Sequence, residues 1–524
     1  MKHLAMSALI AAAASLPASA QPTGAASNTS AHENPFLRAS YGTPYEIPPF
    51  AEITPADYIE AIEKGIAERD QEINAIIVNR AMPDFDNTIL ALEQAGSLLN
   101  KVSRVFFALN ETDSNDEMEA INEKVTPLIS QADDNIMMNP LLFDKVKQVY
   151  DRRNDMGLSK SQIKAVEDTY RSFTRNGALL SDADKESLKQ VNTQLADLYL
   201  RYNRNLLNAT NEFKYVVSDP AMLSGLPANL IANAAELAES EKMPGKWIFT
   251  LHAPSRLPVL QYGDNRQLRE AIYNGYINLA TQGKNDNRPL IADIVKLRAK
   301  KAALLGYPDF ASYMTADVMA KTPQNAEDLL MKIWTPAINR VDTEVAEMQA
   351  IADAEGAGIT IEPWDYYYYA EKVRRKKFDL DEDQVRRYFS LDNVRKGIFY
   401  MANRLYGVNF TELPDAPKYH PEVKVYDVTD ADGKHLAVFM TDYFPRASKR
   451  QGAWMDEMVG SYVDPDGKVQ RPIVFNVGNF TRPTADTPSL LTLDEVETMF
   501  HEFGHGLHGM LSKAALRSQS GTNV

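Results

Sequence analysis

The sequence contains no cysteine. That excludes disulfide staples, thiolate-ligated metal sites and thiol nucleophiles. Basic residues are also scarce: 56 Lys and Arg stand against 71 Asp and Glu, for a formal net charge of −15. No basic stripe is available to neutralise phosphates, which argues against nucleic acid as a partner. No run reaches about 18 uninterrupted apolar residues, so no membrane span and no membrane partner are expected. A metal would have to rely on His, Asp and Glu, and there are only eight histidines. What the chain does have is length. Its 524 residues exceed what one small core requires, so more than one lobe is expected.

The N-terminus reads as an export signal spanning residues 1–20. Met1-Lys2-His3 is a short basic start, Leu4 to Leu16 an Ala-rich apolar run, and Ala18-Ser19-Ala20 a cleavage pattern before Gln21. In a bacterium this implies the periplasm. Residues 21–34 are rich in Ser, Thr, Ala, Gly and Asn and read as a disordered tether. Order is expected from Pro35-Phe36 onward. We expect an N-terminal helical region over residues 35–245 and a catalytic region over residues 246–524.

Within the first region, Thr54-Pro55-Ala56-Asp57 has the cap, proline and early acid of a helix start. A helix is expected over Asn87 to Leu109, with Ile89, Leu92, Leu99, Val102 and Phe106 inward. A longer one starts at Ser181, with the stripe Leu188, Val191, Leu195, Leu198, Tyr202 and Leu206. Further on, Lys246 to Leu251 reads as a strand, and helices resume over Ala292 to Leu305 and Ala326 to Ala352. Tyr366 to Tyr369 are four consecutive tyrosines, which cannot all face inward on a helix. Val423 to Val428, Leu436 to Met440 and Ile473 to Val477 read as strands, the first two joined by an Asp432-Gly433 hairpin. An edge strand of such a sheet can take an extended peptide through backbone hydrogen bonds; a purely structural sheet is the alternative.

The chemistry lies in His501-Glu502-Phe503-Gly504-His505, an H-E-x-x-H pattern. Two imidazoles four residues apart on a helix project from one face and can share one Zn²⁺. Glu502, swung aside, can reach a water on that ion without binding the ion itself. The expected reaction is hydrolysis by a zinc-activated water. Glu502 takes the proton as general base and returns it to the leaving amine as general acid. Thr492 and Glu495 form a capping box ahead of the motif. Leu493, Val496, Phe500, Phe503, Leu507 and Met510 are expected as the buried stripe. Gly504, Gly506 and Gly509 each cost about 1 kcal/mol in a helix interior. Close approach of a substrate or a neighbouring backbone would offset that.

A hydrolytic zinc needs a third protein ligand. His508 lies two turns from His501, about 10 Å along the axis, which strains a shared centre. No Asp or Glu follows Glu502, and Leu516 to Val524 read as a loop leading elsewhere. The third ligand is therefore expected beyond Val524, with an upstream carboxylate as the alternative, and residues 1–524 alone are expected to be inactive.

Thr498 to Leu511 resembles the signature of the thimet-oligopeptidase-like family of zinc metallopeptidases, and Ser520-Gly521-Thr522-Asn523 looks like its continuation. Asn34-Pro35-Phe36, Met82 to Glu93, Met319 to Pro323, Lys377 to Glu382, Tyr419-His420-Pro421 and Gly452 to Met455 resemble its peptidyl-dipeptidases. The resemblance implies a mostly α, elongated helical zincin-type body. It also implies a small β-sheet near the active site and a deep substrate channel, here without its C-terminal part. It implies one Zn²⁺ per chain on His501 and His505, with Glu502 catalytic, and oligopeptide substrates losing C-terminal dipeptides. An endo-acting oligopeptidase and a non-catalytic peptide-binding protein are the alternatives. A monomer is expected.

Overall fold

The computed structural model describes residues 32–379, 381–484 and 486–523. The expected export signal, and the tether up to residue 31, lie outside the described residues. At the tether's end, His32 Nε2 lies 2.9 Å from the Asp57 carboxylate, and Asn34 is buried, capping the turn Pro35–Leu37.

The N-terminal part is a layer of helices: α1 (Pro55–Val78), α2 (Ser97–Thr112), α3 (Asp116–Met137), α4 (Pro140–Arg152), α5 (Lys160–Arg175) and α6 (Asp182–Glu212). The start of α1 is as the sequence implies, a Thr54/Asp57 capping box with Pro55 in the first turn. The helix expected over residues 87–109 is instead broken. A π-turn at Phe85–Leu90 and a short helix to Gln94 precede Gly96, whose φ of 75° ends that run before α2 begins. A side chain there would meet Arg69 at 2.7 Å, so only glycine fits. On α6, Leu188, Val191, Leu195 and Leu198 are buried and Tyr202 packs half-buried beside them, but Leu206 is exposed.

A two-stranded ribbon, β1 (Tyr215–Val217) with β2 (Trp247–Phe249), follows. Beyond it come α7 (Ala253–Tyr262), α8 (Arg288–Leu304), α9 (Phe310–Thr315), α10 (Pro323–Ala354), α11 (Tyr366–Phe378) and α12 (Leu391–Tyr406). Five strands then form one sheet: β3 (Asn409–Glu412), β4 (Lys424–Thr429), β5 (His435–Asp442), β6 (Trp454–Val459) and β7 (Ile473–Val477). Their order is β3-β4-β5-β7-β6, antiparallel throughout except for the parallel β5–β7 pair. Strand β6 is thus an edge. Against this sheet lies α13 (Leu493–Met510), which carries the H-E-x-x-H motif.

The core between sheet and helices is aromatic. Phe399 of α12, Phe410 of β3, Phe439 of β5 and Phe503 of α13 pack ring on ring. Burying such rings supplies most of the force that seats α13 on the sheet. The segment after α13 is not a free loop. Leu516 is buried among Ile89, Phe143 and Phe173, and the Ser461 N–H donates to the Ser520 hydroxyl. The molecule is mostly α with a small mixed sheet, and among the described residues no helix is long and apolar enough to cross a membrane.

Candidate metal centre and groove

The start of α13 follows from three residues. Thr492 accepts from the Glu495 N–H, and the Glu495 carboxylate accepts from the Thr492 N–H at 2.8 Å. The same carboxylate accepts from the Thr481 N–H and hydroxyl at 2.7 and 2.9 Å, pinning the incoming loop to the helix. Burial raises the Glu495 carboxyl above its ordinary value, against the pull of these hydrogen bonds.

The buried face of α13 is Val496, Met499, Phe503, Gly506, Leu507, Gly509 and Met510. Leu493, expected in that stripe, is 45% exposed, and Met499 takes the core position. Two of the three glycines let the helix approach the sheet. A Cβ on Gly506 would lie 3.1 Å from Asn476 Oδ1; one on Gly509 would meet Glu457 at 2.6 Å and Met455 at 2.7 Å. Gly504 has nothing within 4 Å and faces open space.

His501 and His505 sit on the exposed face of α13, their Nε2 atoms 3.1 Å apart and their rings nearly perpendicular. Two nitrogens on one tetrahedral zinc stand about 3.3 Å apart, so the pair fits two ligands of such an ion. A hydrogen bond between neutral imidazoles would give a similar spacing. Between them in sequence, Glu502 is half-buried, and its backbone carbonyl accepts from Asn476 Nδ2 of β7 at 2.8 Å. This bond fixes the motif's turn of helix to the sheet. His508 is exposed in the last turn, and among the described residues no three His, Asp or Glu gather to hold a metal.

A cavity of about 800 Å³ opens along the same face of α13, bordered by Asp494, Glu497 and Thr498. His501, Glu502 and His505 do not line this cavity; His501 lies about one turn farther along α13, four residues after Glu497. The opposite wall is α7 with Tyr367, Glu371 and Arg374 of α11. Of the four tyrosines, Tyr369 is buried, while Tyr367 lines this cavity and is 45% exposed. Burial would raise the Glu371 carboxyl, but hydrogen bonds from Arg374 and Arg375 hold it below the ordinary carboxylate value.

The floor includes Gly452 and Ala453, which lead into edge strand β6. That lead-in is set from beneath. Lys449, fully buried, donates to the Asp442 carboxylate and to the carbonyls of Asp442 and Phe444, each at 2.9 Å. Asn479 Nδ2 donates to the carbonyls of Arg450 and Gly452. Burial pushes the Lys449 ammonium down to about 8. Farther along, Arg104 of α2 donates to the Glu457 carbonyl of β6, while the cavity is bordered by Gly452 and Ala453, just before that strand begins. Neither β3 nor β6 is anticipated from the sequence. Trp454-Met455-Asp456-Glu457-Met458-Val459 pairs apolar with apolar and acid with acid, with no period of two.

Residues 259–524 match the model of peptidase family M3. Over 494 residues the chain is 40% identical to the dipeptidyl carboxypeptidase of Escherichia coli (strain K12), covering 94% of this chain and 72% of that protein. It is 32% identical to oligopeptidase A of Salmonella typhimurium, covering 93% of this chain and 72% of that relative. The solved structure of PZ peptidase A with an inhibitor aligns at a TM-score of 0.43 and 13% identity, over 86% of this chain and 63% of that one.

Proposed function

The chain belongs to peptidase family M3, the thimet-oligopeptidase-like metallopeptidases, and on that premise we propose that it removes dipeptides from the C-termini of oligopeptides at His501, Glu502 and His505. One observation supports this most: two exposed imidazoles on one face of α13 whose Nε2 atoms stand 3.1 Å apart. His501 and His505 would hold zinc. When bound, zinc would supply Lewis-acid polarisation of a peptide carbonyl and lower the pKa of a water.

The remaining roles fall to the chain itself. An extended peptide would lie against the Gly452–Ala453 segment that leads into β6, held by backbone hydrogen bonds that ignore side-chain identity. Glu502 would take the proton of the attacking water and hand it to the leaving amine. Asn476 would hold Glu502 in register by gripping its carbonyl.

Dipeptide release is favoured over internal cleavage by the higher identity to the dipeptidyl carboxypeptidase than to oligopeptidase A. Glu502→Gln should retain zinc and lose about 10²-fold or more of turnover. Full activity in that variant would refute the assignment. A C-terminally amidated peptide should resist the wild-type enzyme, and its cleavage at internal bonds would favour the endo-acting reading. The pattern of residues 1–20 supports export. N-terminal sequencing should find mature protein starting at Gln21, and retention of Met1 would contradict that.

A further inference from the structure

A second cavity, of about 480 Å³, lies between α3, α6, α8 and α9. At one end is Asp134 of α3, 7% exposed. Its Oδ1 accepts from Asn192 Nδ2 at 2.7 Å, and Asn192 Oδ1 accepts from Lys301 Nζ at 2.8 Å. A carboxylate and an ammonium are thus joined through an amide that spends its donor on one and its acceptor on the other. Asp134 Oδ2 is buried with no hydrogen-bond partner. A buried carboxylate oxygen left in that state is costly and calls for a reason.

The neighbouring acid does not share this condition, because Asp133 is paired with Arg69 at 2.7 Å. Burial shifts both bridged groups toward neutrality, the Asp134 carboxyl up to about 6 and the Lys301 ammonium down. Each would gain from a counter-charge brought by a ligand. Tyr199, Phe310 and Tyr313 form the rest of the wall, a surface suited to an apolar or aromatic side chain. Arg298 donates to the Tyr199 hydroxyl and stacks over Phe310, which fixes that wall.

We propose that this cavity is a second binding site, distinct from the His501–His505 pair, for a small zwitterion with a free α-ammonium on Asp134 and a free carboxylate on Lys301. Free amino acids and short peptides both have this chemistry. The site does not depend on the catalytic reading.

Isothermal titration of wild-type protein with leucine and with glycyl-leucine tests it, beside the N-acetylated and C-amidated form of each. Saturable binding of one uncapped ligand is expected, and which of the two binds more tightly identifies the source. Either cap, Asp134→Asn or Lys301→Met should weaken binding about tenfold or more, whereas His505→Ala should leave it unchanged. The capped ligands require no variant, so the test survives a variant that fails to fold. The site is overturned if neither uncapped ligand binds saturably, if capping makes no difference, or if His505→Ala abolishes binding.

Discussion

Burial lifts the Asp134 carboxyl from its ordinary 3.8 to about 6. A carboxyl whose pKa is higher in the fold than in the unfolded chain holds its proton more tightly when folded. Its contribution to stability is therefore full below about pH 4 and is lost as pH rises through about 6. Asp134→Asn should accordingly stabilise the protein at neutral pH, by up to about 3 kcal/mol, and much less near pH 4. Thermal melts at the two pH values check this; a neutral-pH loss of stability would show the carboxylate to be a structural strut. At this scale the sequence was uneven. His501, Glu502 and His505 stand within five residues, so their geometry follows from helix pitch alone. Asn476, the Glu495–Thr481 clamp and the Asp134–Asn192–Lys301 bridge join residues far apart in the chain. No spacing rule brings such partners together, so only the fold reveals them.

At the scale of elements, Gly509 and Gly504 of α13 should behave oppositely. Gly509→Ala pushes a methyl into Glu457 and Met455, and should destabilise by about 1–3 kcal/mol. Gly504→Ala faces open space within a helix, and should stabilise by about 0.5–1 kcal/mol. Urea unfolding of both variants checks the contrast; equal effects would mean that α13 does not sit this closely on β6. Elements whose own pattern decides them were legible: the caps of α1, α6 and α13, and the strands β4, β5 and β7 with their hairpin. The helix expected over residues 87–109 failed at Gly96, where packing against Arg69 and a positive φ outweigh a continuous apolar period. Strand β6 was missed because Asp456 and Glu457 break its alternation. The Glu457 carboxylate lies instead against Gly509 and Gly521, a contact that local sequence cannot foretell.

At the scale of the whole molecule, α10 stands apart. Leu329, Leu330, Met331, Ile333 and Trp334 are each half or more exposed, and they cover an arc of roughly 200° around the helix. An exposed apolar patch of this kind binds hydrophobic probes. Leu330→Glu with Trp334→Glu should therefore lower the fluorescence of bound anilinonaphthalene sulfonate without lowering the melting temperature. Unchanged dye binding would mean that this surface is covered in solution. The seating of α13 on the sheet has one consequence that matters most, an imidazole pair left exposed on the helix. Zinc affinity by competition with a chromophoric chelator, for wild-type and His505→Ala protein, probes that pair directly. A loss of about tenfold or more in the variant is expected, because half of the described ligand set is removed. Equal zinc affinity in the two proteins would contradict a metal centre on α13.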